Sequence, residues 1–352
     1  MSFNQIKVTF EKRGFKLKET IYNRNNSIIN IAVNENKEYI IKIQIVKDKN
    51  KKERMKNESL INKSLNSTFI IKTYAIYSDL IQNHQIYSIV MEKGLYNNFN
   101  FFIKCLLNDN LIHVINNTIN FPWIYLINSN TLSFFITQII EGLKVLFEHN
   151  IVHRDIKGEN IIIAYLFKLK ISDFGIAKKA KSNFELGSST WCYQGFEYFI
   201  NNKIIDEYDN TFKIDYYSLG VLIYYCLFRK ELIDSKYKGN LKEQDYNDCL
   251  NKANENINKC SFENNKYEIK NFDKENKGKF IQKGIAELIK NLLTKNISER
   301  PNIFQLLDDK NLNENKLYFK KIYNINQFLE SKLFIEFMKP NNEKRKRKKY
   351  NI

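Results

Sequence analysis

Side chains that bind soft metals are scarce. Five cysteines (Cys105, Cys192, Cys226, Cys249 and Cys260) stand far apart and form no Cys-x-x-Cys pair, and there are only four histidines. That excludes a zinc centre built on paired thiolates, and scattered thiols are expected of a reducing compartment. Long apolar runs are missing too. The longest, Tyr216 to Phe228, is broken by Ser218 and Gly220 and falls short of the roughly 20 residues that cross a bilayer. Lys7, Glu11, Lys12 and Arg13 follow close behind Met1, where a secretory leader needs an apolar stretch. Ser2 in place of glycine excludes myristoylation. An intracellular, cytoplasmic chain without a membrane span is the expectation. Proline occurs three times while Asn and Lys abound, a compositional bias to which we attach no function.

Material for a core is plentiful. Apolar residues make up 43% of 352 positions, with 26 Phe and 21 Tyr, which excludes a disordered chain and allows one large domain or two moderate ones. The net charge of +17 and a pI near 9.3 could point to nucleic acid, membrane or acidic partners. No stripe of alternating basic and aromatic residues marks a groove, so the lysines are read as spread over exposed faces. The one concentration is Lys344-Arg345-Lys346-Arg347-Lys348-Lys349. This tail is either a solvated end or a nuclear-targeting or anion-binding segment, and any nucleic-acid role is confined to it.

The chemistry is concentrated between His153 and Gly175. This stretch runs His153-Arg154-Asp155-Ile156-Lys157-Gly158-Glu159-Asn160, then Ile161-Ile162-Ile163 and Lys168-Leu169-Lys170-Ile171, then Asp173-Phe174-Gly175. The two apolar pieces read as short strands. They would bring Asp155, Asn160 and Asp173 to one place. Phosphoryl transfer needs such a set: a carboxylate to receive a hydroxyl proton, and an amide with a second carboxylate to hold the ion that neutralises the phosphates.

Both motifs, in this order and spacing, resemble the catalytic core of eukaryotic protein kinases of the Ser/Thr type. The resemblance implies an α+β, two-lobed fold: a small antiparallel β lobe with one helix (about residues 10–92) and a large, mainly helical lobe (about 93–320). A C-terminal helix and basic tail would follow over 321–352. ATP and Mg2+ are the implied cofactors, with Asn160 and Asp173 as metal ligands, Asp155 as base, and Lys157 at the transferring phosphate. A protein substrate is the implied partner; its identity and the oligomeric state stay open. Lys42, in Ile40-Ile41-Lys42-Ile43, is matched to the phosphate-binding lysine, and Glu58 to its helical partner. Ile21, Ile29 and Ile40 fall around the nucleotide, Met91 at its back, and Glu92 and Gly94 where backbone groups would meet adenine. Arg154 accompanies activation segments ordered by a phosphate, for which Ser182, Ser188 and Ser189 are candidates and Glu185 a possible stand-in. Lys157 with Thr190 matches the family's Ser/Thr pattern. Glu197 with Arg300, and Asp215 beneath the catalytic loop, match its structural pairs.

Three places depart from the pattern. Tyr22, Arg24 and Ser27 occupy the positions of the three glycines that let backbone N–H groups approach phosphate; Arg24 could supply a cation instead. Ile40 replaces a small alanine. Asn62, one turn after Glu58, replaces an apolar residue and would cost roughly 1–3 kcal/mol if left without a partner. These departures keep open a kinase-fold scaffold with weak or no nucleotide binding as the alternative.

The remaining chain is read more coarsely. Phe3 to Val46 is β-rich, with a hairpin turn at Asn34-Glu35-Asn36-Lys37. Leu95 to Asn130 is a long insert with the aromatic patches Phe99-Asn100-Phe101-Phe102 and Phe121-Pro122-Trp123-Ile124-Tyr125. Thr131 to His149 has helical periodicity, capped by Ser129 or Asn130. Arg229 to Gly284 is a polar surface insert, and Ile285 to Leu307 is helical again.

Overall fold

The computed structural model describes residues 3–24, 26–46, 49–81, 83–94, 98–100, 129–164, 168–199, 204–228, 230–238, 241–258, 260–263, 266–269 and 280–308. The Phe121–Tyr125 patch, the side chains of Arg24, Ser129 and Asn130, the C-terminal segment 321–352 and the basic tail lie outside the described residues.

The chain opens with a helix, α1 (Phe3–Glu11), where a strand was expected. Ile6 and Phe10, four residues apart, both fall below 2% exposure. That spacing fits one face of a helix, and the sheet behind it supplies the apolar surface that stabilises so short an element. Strands β1 (Lys16–Arg24), β2 (Ser27–Asn34) and β3 (Lys37–Val46) follow as a meander. The expected turn between β2 and β3 holds two residues at positive φ, Glu35 at 48° and Asn36 at 64°, as a two-residue hairpin requires. After α2 (Lys49–Ser64), strands β4 (Thr73–Ile81) and β5 (His84–Glu92) complete an antiparallel sheet of order β1-β2-β3-β5-β4.

Alternation along β3 decides where Lys42 goes. Ile41 and Ile43 are fully buried and join Ile28, Ala32, Ile86 and Val90 in the cluster covered by α1. Lys42, between them in register, must leave the opposite face. Arg13 fastens the end of α1 to β4, with Nη1 2.9 Å from Asp79 Oδ2 and the guanidinium 4.0 Å from the Tyr77 ring centre.

The large lobe is built on α3 (Ser129–Glu148), whose Leu132, Phe135, Ile136, Ile139, Ile140, Leu143 and Leu146 are all buried. Strand β6 (Ile151–Val152), the hairpin β7 (Ile161–Ile163) and β8 (Leu169–Ile171), and β9 (Lys178–Lys179), which pairs with β6, carry the motif region. Strand β10 (Phe184–Glu185) pairs with β11 (Ile204–Ile205). Helix α4 (Lys213–Phe228) is buried on nearly every side and forms the centre of the lobe. It packs on α6 (Lys283–Leu292), while α5 (Glu243–Asn258), a small sheet of β12 (Cys260–Glu263), β13 (Lys266–Ile269) and β14 (Phe280–Gln282), and α7 (Ile303–Leu307), which packs on α3, complete the described elements. The 229–284 segment is therefore more than a surface insert. Its helix buries Tyr246, Cys249, Ala253 and Ile257, at steps of three and four, and Tyr246 donates a 2.7 Å hydrogen bond to Tyr217 on α4. The two-lobed α+β architecture expected from the resemblance is the one the chain adopts. Among the described residues no helix is long and apolar enough to cross a membrane.

Candidate active site

The loop after β6 is held from below. Asp215, at the start of α4, accepts two backbone N–H bonds through its carboxylate: from His153 to Oδ2 and from Arg154 to Oδ1, both 2.7 Å. These bonds fix Arg154 at φ 69°, a conformation that costs a non-glycine residue of order 1–3 kcal/mol and persists only where its surroundings enforce it. Burial pushes the Asp215 carboxyl up, while His153 and the two N–H donors pull the other way. His153 is fully buried; its Nε2 bonds the Ser172 carbonyl at 3.0 Å and its ring meets Phe174 edge-on at 5.1 Å. Asp173 itself sits at φ 67°. The two motifs thus form one hydrogen-bonded unit, with Ser172 Oγ also donating to the Asn160 carbonyl at 2.9 Å.

Asp155 projects from this unit into a ring of donors. Thr190 Oγ1 donates to Oδ1 at 2.5 Å; Asn160 Nδ2 and Lys157 Nζ approach Oδ2 at 2.9 and 2.8 Å. Lys157 Nζ also donates to Thr190 Oγ1 at 2.7 Å. Burial opposes the charge of Asp155, but the bonds from Lys157 and Thr190 outweigh it, so the carboxyl is held below its ordinary value of 3.8. It is ionised at neutral pH and can accept a proton.

Across the cleft, Lys42 Nζ lies 2.7 Å from Glu58 Oε1 and 2.6 Å from Asp173 Oδ1. Burial alone would lower the lysine's pKa; the two facing carboxylates more than offset it and hold the ammonium above its ordinary range. The charge of Lys42 in turn holds the Asp173 carboxyl below its ordinary value. Glu58 is nearly sealed from solvent, and its Oε2 has no hydrogen-bond partner among the described residues. Helix α2 is also tied to the segment after Gly175, because Asn57 Nδ2 donates to the Ala177 carbonyl at 2.9 Å.

An open cleft of about 1120 Å³ lies between these groups, lined among others by Tyr22, Ser27, Ile29, Lys42, Asn160 and Asp173. Ile21 is turned outward at 43% exposure beside a register shift in β1, and Ile40, Glu92 and Gly94 are not among the lining residues. Glu92 donates its N–H to Lys72 O at 2.8 Å, and its carboxylate meets Lys170 at 2.6 Å. At the outer end the cleft is walled by Glu159, Glu231, Tyr225 and Cys192, which nothing in the sequence marked. Burial pushes the Cys192 thiol up to about 11, so it is not a nucleophile at neutral pH.

The donor set suits a hard divalent cation. Asn160 spends its Nδ2 on Asp155, which leaves its amide oxygen as the group to offer beside the Asp173 carboxylate. Oxygen donors and phosphate together suit Mg2+.

The segment after Asp173-Phe174-Gly175 is seated through apolar side chains as well as through Arg154. Phe184 and Leu186 are fully buried. Arg154 is 3% exposed; its Nη2 donates to the Ser188 carbonyl at 3.2 Å and its guanidinium stands 5.9 Å from the Phe184 ring. A Cβ on Gly187, at φ 62°, would crowd that guanidinium, so glycine is favoured there by both space and conformation. Ser182 and Ser188 are exposed, and Ser189 donates its hydroxyl to the Arg154 carbonyl at 2.5 Å. Glu185 pairs with Ile204 in the short sheet and is exposed; no ion pair joins it to Arg154 among the described residues.

Glu197 and Arg300 form a bidentate pair, Nη1 to Oε1 at 2.9 Å and Nη2 to Oε2 at 2.7 Å, sealed from solvent. The carbonyls of Thr294, Lys213 and Lys295 take further guanidinium N–H groups. Gly195 makes room for this pair: a Cβ there would lie 2.4 Å from Glu197 Oε2. Its φ of −75° suits any residue, so the restriction is space alone. Gly195→Ala is expected to lower stability by about 1–3 kcal/mol, although alanine is usual at this place in the family resembled. A melting temperature equal to wild type would show that the carboxylate moves aside freely.

Comparison with known proteins agrees with this geometry. The family model described as "Protein kinase domain" matches residues 25–312. The cGMP-dependent protein kinase egl-4 of Caenorhabditis elegans is 38% identical over 93 residues, 26% of this chain and 11% of that protein. Mitogen-activated protein kinase kinase kinase 5 of Homo sapiens is 39% identical over 99 residues, 27% of this chain and 7% of that protein. The serine/threonine-protein kinase polo of Drosophila melanogaster is 27% identical over 175 residues, 50% of this chain and 26% of that protein. The chain therefore spans no more than 26% of the length of these relatives.

Proposed function

Because the chain belongs to the protein kinase family, we propose that it is an active enzyme that moves the γ-phosphoryl group of ATP to Ser/Thr hydroxyls of a protein substrate. One observation carries this reading: Lys42 and Asp173 on one side and Lys157, Asn160 and Thr190 on the other line an open cleft, with Glu58 paired to Lys42 behind them and Asp155 bonded to Lys157, Asn160 and Thr190.

Lys42 places its ammonium on the inner phosphates, and Glu58 restrains it. Asp173 and Asn160 would hold Mg2+, which would neutralise the phosphate charge when bound. Asp155 orients the acceptor hydroxyl and takes its proton as the new oxygen–phosphorus bond forms and the bond to the departing ADP breaks. Lys157, bonded to both Asp155 and Thr190, faces the transferring group and offsets its charge. The Lys157–Thr190 contact supports Ser/Thr acceptors, as does the name carried by the polo relative.

The absence of glycine from Tyr22 to Ser27 favours a second reading, a kinase-fold scaffold. A thermal shift with Mg-ATP separates the two. At a hundredfold excess over its dissociation constant the nucleotide should stabilise the protein by about 2.7 kcal/mol. Lys42→Ala should remove most of that shift, together with activity. No shift in the wild type at millimolar Mg-ATP would favour the scaffold.

A further inference from the structure

Asn62 is the polar residue that replaces an apolar one on α2, and the structure shows what it does there. It is 5% exposed and both ends of its amide are engaged. Nδ2 donates to the backbone carbonyl of Glu58 at 2.9 Å, one turn back on the same helix. Oδ1 accepts from Thr73 Oγ1 at 3.0 Å. Thr73 is the first residue of β4, and the register of β4 on β5 shifts between Thr73 and Ala75. Such an irregularity re-aims a side chain relative to its strand, and here the hydroxyl is turned to the helix. A continuous line of hydrogen-bonded residues results: Thr73 on the sheet, Asn62 and, through its backbone carbonyl, Glu58 on α2, then Lys42 and Asp173 across the cleft.

We propose that the Asn62–Thr73 hydrogen bond is a positioning device, setting the rotation of α2 about its axis and with it the reach of Glu58 to Lys42. The inference rests on the cleft being an ATP site. An apolar contact at this place would hold the helix against the sheet but tolerate rotation and sliding, because such contacts are non-directional. A hydrogen bond weakens steeply off its axis. Any rotation that withdraws Glu58 therefore strands the amide oxygen of the buried Asn62, and the helix has one favoured angle instead of a range. Because Asn62 is oriented through the carbonyl of Glu58, the residue that grips Lys42 also aims the amide that fixes the helix. Neither partner touches the cleft lining, so both act through Glu58.

Four variants of the full chain test this: Thr73→Val, which keeps shape and loses the hydroxyl; Thr73→Ser, which keeps the hydroxyl; Asn62→Leu; and the double Asn62→Leu/Thr73→Val. Three readouts are needed: KM for ATP with kcat, the melting temperature, and amide hydrogen exchange over residues 49–64. Thr73→Val and Asn62→Leu are each expected to raise KM for ATP by about tenfold, in line with the loss of one hydrogen bond, and to speed exchange in α2. Thr73→Ser should stay within about twofold of wild type by the same argument. The double variant should recover melting temperature, since no polar atom is stranded, yet keep the raised KM and the faster exchange. Recovery of all three together, or singles that melt lower with unchanged KM and exchange, would overturn the positioning role and leave a packing one. If the wild type shows no Mg-ATP shift, the nucleotide reading fails, and exchange in Thr73→Val against Thr73→Ser still decides whether the pair fixes the helix.

Discussion

Asp155→Asn should lower kcat by about 10²–10⁴-fold, the range for loss of a well-placed base, and leave the stabilisation by Mg-ATP within about twofold of wild type. The substitution keeps the shape of the side chain and one acceptor oxygen. It removes the charge that Lys157, Thr190 and Asn160 surround, and an amide cannot take the hydroxyl proton. The nucleotide contacts assigned to Lys42 and Asp173 lie on the other side of the cleft and should survive. Single-turnover kinetics beside a thermal shift would show the split; undiminished turnover would remove Asp155 from the base role. The pH dependence follows from the direction of its pKa. Because the folded carboxyl is held below 3.8, its charged form is present throughout roughly pH 5–8. Both its basicity and the stability it contributes fade only as pH falls through that lowered value. A kcat that declines between pH 8 and 6 would have to be governed by a different group.

Arg300→Leu should be the most destabilising single change in the large lobe, by about 3–5 kcal/mol, because Glu197 would keep a charge with no partner and no water. For a chain of this size that is a fall in melting temperature on the order of 10 °C. The carbonyls of Thr294, Lys213 and Lys295 would lose donors in the same step. An exposed pair such as Lys144–Glu148, one turn apart on α3, serves as the contrast; breaking it should change stability by less than about 0.5 kcal/mol. Equal melting temperatures for the two variants would contradict the reading of Glu197–Arg300 as a structural tie between the activation segment and the end of the domain.

The site was legible in the sequence where its chemistry lies in contiguous motifs. Asp155, Lys157 and Asn160 are within six positions, and a hairpin of two three-residue strands returns the chain to Asp173, so short-range pattern and spacing suffice. Lys42 is found through the resemblance and its match with Glu58, since a lone lysine in an apolar strand more often sits on a solvated face. Other features rest on contacts that no local pattern carries. The nine residues of α1 place apolar groups at steps compatible with strand or helix, and only the sheet beneath decides between them. Helix α5 looked like a polar insert because its buried stripe, Tyr246, Cys249, Ala253 and Ile257, is thin against the surrounding Asn, Lys and Glu. Asn62 read as a defect because its partner is set by the fold of β4 onto α2 and not by a motif. The crowding of Gly195 by the Glu197 carboxylate is likewise visible only in the folded chain.

The seat of Phe184 and Leu186 has a consequence in time. A loop gripped through a phosphate has a history: it settles after one enzyme has marked it and loosens after another has erased the mark. Two hydrocarbon side chains sunk into the large lobe settle as that lobe folds. Removing carbon from water involves no charge that counter-ions can screen, so Phe184 and Leu186 are held by the same force that holds the core.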